Sequence, residues 1–422
     1  MPSSPNGDAT HRIDGVAPAS VVRPADVEDL GFLMANAHRD KAAVAPWGGG
    51  TRTALGNPPK RLDRVVDLSL LDGVVEHSPG DLTATVQAGI PVSRLQDTLR
   101  EHGQFLAVDP PLPHRATIGG VLAVGASGPL KWQYGSPRDL VMGMKVVAAD
   151  GTATKSGGKV VKNVSGYDMA RLHIGGLGTL GIIAEVSFKL TPLPLSQATV
   201  MARYDTGGRC LEAALDVFRG DVVPLAITTF DPGAAALMGV EGDGHTLALR
   251  LGGRLLTLER QVAECRAHCD ERQASQVDIM SERDAEAVWR NLADFGWSGD
   301  AADATLGRAL LLPSRVPELA EWLSRSENAA APLAVSNPAH GVVLVNWTQT
   351  EEHSALAAAL RETRDKVHDL GGRLVIERCP LAMKADLDVW DESGEAAAIM
   401  RRMKDLYDPR GILNPGRFVG GI

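Results

Sequence analysis

Two glycine-rich stretches carry residue types that could bind a phosphate-containing ligand. The first, "GGLGTLGIIAEVSFKL" (residues 175–190), holds Gly176, Gly178 and Gly181 in the G-x-G-x-x-G spacing of a dinucleotide-binding turn. In that motif the pyrophosphate lies on the N-terminus of a helix that follows the glycines. Here Gly181 is followed by an alternating, β-branched run that ends at two prolines and therefore predicts a strand. The motif lacks its helix, so we expect no NAD site there.

The second stretch, "VAPWGGGTR" (residues 44–52), is better placed for phosphate binding. It follows a short apolar run that predicts a strand, and consecutive glycines let successive backbone N–H groups converge on an anion. Thr51 adds a hydroxyl donor and Arg52 a positive charge. No G-K-[ST] follows, so the stretch is not a Walker A loop. By itself it is equally compatible with an ordinary flexible loop.

Further glycine-rich turns follow in the first half of the chain. They include the stretches "ATIGG", "GASGP" and "YGSPRDLV". A single long ligand with a diphosphate, lying across several of these loops, would explain why so many turns are rich in glycine, whose backbone can approach a ligand closely. Independent structural loops are the alternative.

Composition excludes several classes of function. The chain has 422 residues and a net charge of −9, with Lys and Arg scattered along it, so no nucleic-acid-binding face is expected. No apolar run reaches the roughly 18 residues of a transmembrane helix. The 4 cysteines are too few for a disulfide scaffold and lack the tight spacing of an iron–sulfur site. No compact histidine motif is present, so no metal site is predicted.

The elements that position these loops suggest several segments. Residues 1–17 have no apolar core and predict a disordered leader, and residues 18–195 mix short strands, helices and the glycine-rich loops. Residues 196–380 alternate strands such as "LAITTF" and "GVVLVNW" with helices, which predicts an α+β domain with an antiparallel sheet. Residues 381–422 form a helix and a tail. The helices expected in the middle segment lie at about Leu255–Ser275, Val316–Ser326 and Glu351–Leu370.

Three stretches carry a family resemblance. "ATIGGVLAVGASGP" (residues 116–129) and "VKNVSGYDMARLHIGGLGTLGIIAEVSFKLTPLP" (residues 161–194) are similar to the FAD-binding domain of the vanillyl-alcohol oxidase/p-cresol methylhydroxylase type. Within that superfamily they resemble most the FAD-binding subunit of bacterial glycolate oxidase. "LYDPRGILNPGRF" (residues 406–418) resembles the tail shared by FAD-linked oxidases. The resemblance implies a two-subdomain FAD-binding domain, an α+β cap domain and a tail that returns to the flavin.

The resemblance also implies which residues hold FAD. The attachment is expected to be non-covalent, because Thr51 and Arg52 after the glycines cannot link to a flavin and His114 is read as a solvated loop residue. No metal and no catalytic side chain is assigned. The pyrophosphate loop would be Pro46, Trp47, Gly48, Gly49, Gly50, Thr51 and Arg52. The flavin and phosphate wall would be Pro110, Pro111, Thr117, Gly119, Gly120, Gly125, Ser127 and Gly128, and the ribose and adenine end Gly178, Gly181, Ile182 and Ile183.

The activity implied is that of one flavin subunit in a 2-hydroxy-acid dehydrogenase complex. It would help oxidise glycolate to glyoxylate beside a second FAD-containing subunit, and an iron–sulfur subunit would carry the electrons on. The location implied is cytoplasmic, or peripheral to the inner membrane through the complex. The related subunit carries a histidine-rich metal motif, whereas His340 here stands alone. A self-sufficient FAD-dependent hydroxy-acid or alcohol oxidase, and a flavin-binding assembly subunit without turnover, are the alternatives.

A 2-hydroxy acid needs a cation for its carboxylate. The sequence favours an ordinary surface role for the candidates in the second domain, which are Arg308, Arg373, Arg378 and Lys384. It favours a core or interface role for Trp289, Phe295 and Trp297. Arg417, in "NPGRF", would lie near the flavin if the tail folds back.

Overall fold

The chain divides into two units, each with its own hydrophobic core. The computed structural model describes residues 11–158, 168–298, 304–325, 332–347, 353–391 and 394–422. The first unit comprises Met1–Ser127, Gly135–Leu193 and Glu392–Ile422, and the second comprises Gly128–Tyr134 and Pro194–Asp391. The division after Leu193 lies close to residue 195, where the sequence places it. The second unit extends beyond residue 380 because Met383 and Val389 still pack into its core.

A small parallel sheet begins the first unit. Its strands β1 (Ser20–Val22), β2 (Val44–Trp47) and β3 (Arg64–Asp67) lie in the order β1-β3-β2. Helix α1 (Val27–Asp40) connects the first two strands, and its N-cap residue Asp26 accepts a hydrogen bond from the Asp29 backbone N–H at 2.8 Å. The glycine-rich loop leaves β2 at its carboxyl end, the edge of a parallel sheet at which ligands usually bind.

An antiparallel sheet forms the rest of the first unit's framework. Within the described residues it has five strands in the order β4-β5-β9-β7-β8, and β6 and β10 pair separately. Strand β9 starts directly after Gly181, which confirms the strand expected there and the absence of a Rossmann helix. The strands are β4 (Val74–Ser78), β5 (Thr83–Gln87), β6 (Gln104–Phe105), β7 (Val141–Val147), β8 (Ala153–Gly157), β9 (Ile182–Lys189) and β10 (Thr191–Pro192).

The helices in this part of the chain are mostly short. Pro91 precedes the first residue of α2, and Gly103 follows the helix with φ +66°. Among the helices here, α4 alone belongs to the second unit. The helices are α2 (Val92–Arg100), α3 (Ile118–Val124), α4 (Lys131–Tyr134), α5 (Pro137–Leu140) and α6 (Ala170–His173).

The second unit is built on one antiparallel sheet, which confirms the α+β class. Its strand order is β14-β11-β13-β12-β16-β17-β15-β18 among the described residues. The strands are β11 (Ser196–Tyr204), β12 (Ala226–Phe230), β13 (His245–Gly253), β14 (Gln276–Ser281), β15 (Thr305–Leu310), β16 (Pro332–Asn337), β17 (Val342–Trp347) and β18 (Arg373–Arg378). The helices are α7 (Gly207–Arg219), α8 (Pro232–Met238), α9 (Leu255–Glu271), α10 (Glu282–Ala293), α11 (Val316–Ser324) and α12 (His353–Asp369).

This sheet contains the same βαββαβ arrangement twice. Strands β11 to β14 with helices α7 and α9 form the first copy, and strands β15 to β18 with α11 and α12 form the second. The copies meet where β12 pairs with β16, at Phe230 opposite Val335. Their cores differ in composition: Tyr204 and three cysteines fill the first, whereas Trp347 lies in the second. The duplication is therefore visible in topology and not as a sequence repeat.

The start of the described chain is ordered, so the predicted disorder is wrong for residues 11–17. The backbone of Ile13 and Val16 exchanges two hydrogen bonds, at 3.0 and 2.9 Å. Between them Asp14 and Gly15 have φ values of +47° and +78°, which is the pattern of a type I′ turn. Ile13 is 1% exposed and packs in an apolar cluster with β1, β2 and β3 residues. Residues 1–10 of the predicted leader lie outside the described residues.

The end of the chain returns to the start of the first unit. Helix α13 (Ala396–Tyr407) is followed by a tail that adds to the edge of β2. The Val44 N–H donates to the Ile412 carbonyl at 2.7 Å, and the Asn414 N–H donates to the Val44 carbonyl at 2.8 Å. None of the helices in the described ranges has the length and hydropathy needed to span a bilayer.

A buried lysine fastens this tail. The Lys404 ammonium donates to the Asp408 carboxylate and to the carbonyls of Thr179 and Leu413, at 2.7, 2.9 and 2.7 Å. The Asp408 carboxylate also accepts from the N–H groups of Ile412 and Leu413. Burial lowers the pKa of Lys404, and the adjacent Asp408 charge opposes that change. One ion pair thus joins α13, the tail and the glycine-rich turn before β9.

Replacing this lysine tests its role in stability. We expect Lys404→Met to lower the free energy of unfolding by about 3–5 kcal/mol, because it leaves a buried carboxylate and two carbonyls without their donor. Arg402→Met, on the exposed face of the same helix, should change it by less than about 0.5 kcal/mol. Urea unfolding followed by circular dichroism measures both. Equal midpoints for the two variants would contradict the role of Lys404.

Candidate functional site

Most of the residues predicted to bind the ligand surround one cavity in the first unit. It contains about 920 Å³ of empty space, open solvent at its mouth included. The predicted residues found in its wall are Pro46, Trp47, Gly48, Gly49, Gly50, Thr51, Arg52, Pro110, Pro111, Thr117, Gly119, Gly120, Gly178, Gly181, Ile182 and Ile183.

The loop after β2 consists of glycine because another backbone segment lies against it. A Cβ on Gly49 would lie 1.7 Å from the Arg115 carbonyl oxygen, and one on Gly48 would lie 2.1 Å from Thr117 Oγ1. Any larger residue would push the loop away from this support. Among the described residues, the N–H groups of Gly48, Gly49 and Gly50 donate to no other atom of the chain. The loop therefore brings unused donors to the cavity.

The turn before β9 supplies another part of the wall. Gly178 has φ +68°, and a Cβ there would lie 2.6 Å from Pro46 Cγ, so this turn also packs on the end of β2. His173 supports it from behind, 3.3 Å from the position of a Cβ on Gly181. Burial lowers the pKa of His173 to about 4, so its ring is neutral at pH 7. The turn and the first residues of β9, not a helix terminus, face the cavity.

Three predicted residues are not in the wall. Gly125 ends α3 with φ +65° and donates to the Leu122 carbonyl at 3.0 Å, so its role is to cap that helix. Ser127 is exposed, and Gly128 belongs to the second unit. The same segment reaches the cavity through Ala123, Val124 and Ala126. The sequence identifies the segment but assigns the wall to its glycines and serine rather than to its small apolar residues.

The ends of the chain complete the wall with residues that the sequence does not assign. Ile13 and Asn414 both line the cavity. Asn414 has φ +47° and its side-chain amide donates to the Leu177 carbonyl at 2.6 Å. The remaining unassigned lining residues are Thr53, Leu68, Ala116, Val121, Ala123, Val124, Ala126 and Leu177. Most of these residues are apolar and carry no ligand-binding signal of their own, so only their place in the fold assigns them to the wall.

Arg417 lies in the wall, as its place in "NPGRF" leads us to expect. Its guanidinium donates to the carbonyls of Thr53 and Leu55, at 2.6 and 2.5 Å. Burial lowers its pKa to about 10, while the charge of Asp14 acts in the opposite direction. Arg417 is therefore positively charged at pH 7 and fixes the chain just after the glycine-rich loop.

The wall has the chemistry that FAD requires. Unused N–H groups and two arginines, Arg52 and Arg417, suit the negative charges of a pyrophosphate. Threonine hydroxyls at positions 51, 53 and 117 can bond sugar or phosphate oxygens. The apolar residues of α3 and β9 suit flat rings. A dinucleotide with an anionic centre and aromatic ends fits this donor set.

The basic candidates of the second unit have varied environments. Arg308 pairs with Glu377 at 2.8 Å, and Arg373 is exposed. A surface role is wrong for Arg378 and Lys384, which are 3% and 6% exposed. Arg378 donates to the Gly296 carbonyl at 3.0 Å and lies over the Trp297 ring.

The aromatic candidates of the second unit are core residues, as the sequence favours. Trp289, Phe295 and Trp297 are all buried. The Trp289 indole donates to the Thr199 hydroxyl at 2.9 Å.

Burial lowers the pKa of His340, the lone histidine after β16. In the described part of the chain, no three His, Cys, Asp or Glu side chains are grouped so that they could hold a metal ion.

Two family models match the chain. Residues 18–157 match an FAD binding domain, and residues 334–418 match the C-terminal domain of FAD linked oxidases. The first match contains the glycine-rich loop and α3, and the second contains the tail with Asn414 and Arg417. Both matched regions thus contribute to the same cavity.

Known proteins are similar along most of the chain. The glycolate oxidase subunit GlcD of Bacillus subtilis is 27% identical over 97% of this chain and 90% of its own length. A mitochondrial D-lactate dehydrogenase [cytochrome] of Arabidopsis thaliana is 26% identical over 95% of this chain and 73% of its own length. The glycolate oxidase subunit GlcE of Escherichia coli is 33% identical, but over 45% of this chain and 53% of its own length.

Solved structures share the fold. Alkyldihydroxyacetonephosphate synthase has a TM-score of 0.74 at 19% identity, covering 96% of this chain and 78% of that one. p-Cresol methylhydroxylase has a TM-score of 0.72 at 15% identity, covering 95% and 88%. With both matched domains and this cavity, the chain belongs to the FAD-linked oxidases and is an FAD-dependent oxidoreductase.

Proposed function

We propose that this chain oxidises a small 2-hydroxy acid, with glycolate as its substrate and glyoxylate as the product. The single observation that carries the proposal is the match to GlcD along nearly the whole chain. Relatives named D-lactate dehydrogenase and D-2-hydroxyglutarate dehydrogenase also match over most of their length. Glycolate, lactate and 2-hydroxyglutarate share a hydroxyl on the carbon next to a carboxylate, which supports this substrate class.

We further propose that FAD is held in the cavity of the first unit without a covalent bond. The N–H groups of Gly48 to Gly50, with Arg52, would hold the pyrophosphate. The turn at Gly178 and the start of β9 would contact the ribose and adenine. Asn414 and Arg417 would fix the tail against the bound cofactor, since both are tied to neighbouring carbonyls.

When bound, FAD would accept the two electrons and the carbon-bound hydrogen that leave the hydroxy acid, while the hydroxyl proton would pass to a base or to water. The protein's own contribution is to position the cofactor and to exclude water from it. The apolar residues Val121 and Ile183, which line the cavity and are nearly inaccessible to solvent, keep water away from the cavity wall. The positive charges of Arg52 and Arg417 favour the bound, anionic cofactor.

The partners proposed are a second FAD-containing subunit and an iron–sulfur subunit. Two differently named glycolate oxidase subunits, GlcD and GlcE, are similar to this chain, which supports a complex of several subunits. The complex would work in the cytoplasm, and any contact with the inner membrane would be made through it.

A self-sufficient dehydrogenase is the second candidate. It is favoured by relatives of similar length whose names are those of whole dehydrogenases, such as the D-2-hydroxyglutarate dehydrogenase of Stutzerimonas stutzeri. The chain covers 91% of that protein at 24% identity. In this case the chain alone would turn over its substrate.

The glycine-rich loop gives a direct test of the cofactor site. We expect Gly49→Ala to purify with less than about a tenth of the FAD of the wild-type chain, since the added Cβ overlaps the Arg115 carbonyl and displaces the loop. The ratio of flavin to protein absorbance measures this loss.

The matched control is Gly80→Ala. A Cβ on Gly80 meets nothing within 4 Å, so this variant should keep its FAD. Circular dichroism checks that both variants fold. Full FAD in a folded Gly49→Ala protein would exclude the loop as the pyrophosphate site.

Substrate and partners are tested together. We expect glycolate to bleach the bound flavin of the complex purified from its native host, with kcat/KM at least about tenfold above that for D-lactate or D-2-hydroxyglutarate. Flavin and iron assays on the same sample should find both. The chain expressed alone, with a dye as electron acceptor, separates the two candidates, because only a self-sufficient enzyme would turn over at the rate of the complex. If none of the three acids reduces the flavin, both candidate functions are contradicted. The remaining alternative is then a flavin-binding assembly subunit without turnover.

A further inference from the structure

The turn at the start of the described chain lies against the cofactor cavity. We call residues 11–16 the N-terminal turn. Within it Ile13 is 1% exposed and is part of both the cavity wall and the apolar cluster under β1, β2 and β3. No glycine motif or family match includes these residues, since the first matched domain begins at residue 18.

Several contacts hold this turn in place. His11 Nε2 lies 3.3 Å from Asp67 Oδ2, and the His11 ring is 4.9 Å from the Trp47 ring. Asp67 is 4% exposed and also accepts from Arg23 at 2.8 Å. Because Asp67 ends β3 and Trp47 ends β2, the turn is fixed to the two strands that carry the cavity's glycine-rich loop.

Asp14 of the turn also interacts electrostatically with Arg417 of the C-terminal tail. The Asp14 charge raises the pKa of Arg417 against the effect of burial. Arg417 in turn holds the carbonyls of Thr53 and Leu55. Ile13, Trp47 and Arg417 all line the cavity. The turn therefore bridges the glycine-rich loop and the C-terminal tail.

We propose that the N-terminal turn is a clasp that retains FAD, with Ile13 as its cofactor-facing residue and His11, Asp14 and Gly15 as positioning residues. The proposal rests on FAD binding in this cavity, as proposed above. Loosening the turn opens the apolar cluster toward the cavity and removes one wall from the bound cofactor. The cofactor then leaves faster while the fold remains intact.

The test is the rate of FAD release from the purified full-length protein. Holoprotein is diluted into buffer without FAD, and the rise of free FAD fluorescence is followed. We expect Ile13→Ala to release FAD at least about tenfold faster than the wild type, since it removes most of a packed side chain. Ile13→Val should stay within about threefold. Gly15→Ala keeps Ile13 but strains the turn, because Gly15 has φ +78°; it should be about threefold faster.

Ile227→Ala is the matched control. Ile227 is 2% exposed in the core of the second unit. This variant should lower the urea midpoint of the apoprotein and leave FAD release within about twofold of the wild type. If the turn is a clasp, Ile13→Ala and Gly15→Ala should instead increase the rate of FAD release by more than their effect on the urea midpoint of the apoprotein accounts for.

The outcomes separate this proposal from the one it rests on. If the wild type retains FAD while Ile13→Ala and Gly15→Ala release it at the wild-type rate, the clasp is wrong and the cofactor site stands. If the wild type binds no FAD, the cofactor site itself is wrong. If Ile13→Ala does not fold, a faster release from Gly15→Ala supports the clasp and an unchanged release overturns it.

Discussion

The cavity depends on close contact between glycine residues and neighbouring segments of the chain. Gly48 and Gly49 lie against the Arg115–Thr117 segment, and Gly178 lies against Pro46. The distances leave no room for a Cβ, so glycine is required by the neighbouring chain and not by the ligand. This packing brings N–H donors to the cavity and fixes their direction before any ligand binds. Preorganised donors of this kind bind anions without a cost of reorganisation.

The rest of the first unit holds these segments together. The parallel sheet sets the position of the glycine-rich loop, and the antiparallel sheet sets the turn before β9. Lys404 then joins that turn to α13 and to the tail through three short hydrogen bonds. The ion pair with Asp408 is almost fully buried. Removing one partner is therefore strongly destabilising, because it leaves the other charge buried without compensation.

The sequence predicts the parts of the site that have local signals. An alternating run after Gly181 predicts β9, and the glycine-rich loop, Pro110, Pro111 and the turn at Gly178 lie in one cavity as the resemblance implies. The apolar lining of α3 has no signal beyond small residues, and the sequence instead names Gly125, Ser127 and Gly128, which lie outside the cavity wall. The predicted disorder of residues 11–17 overlooked the dipeptide Asp14–Gly15, which favours a tight turn between Ile13 and Val16. The many polar residues that precede this dipeptide favour disorder and so mask the turn signal.

Other features could not be predicted because they depend on contacts between distant parts of the chain. The burial of Arg378 and Lys384 follows from how the second copy of βαββαβ packs. The duplication itself leaves no repeat in the sequence, because the two cores are filled by different side chains.

The second unit is an insertion in the first, and this order has a consequence for biosynthesis. Residues 394–422 are synthesised after the second unit, and they supply Asn414, Arg417 and the tail that pairs with β2. A nascent chain can finish the sheet of the second unit while its dinucleotide cavity still lacks one wall. Loading of the cofactor therefore follows the synthesis of residues 394–422, and a chain that stops before them would carry a folded second unit and an unfinished flavin site.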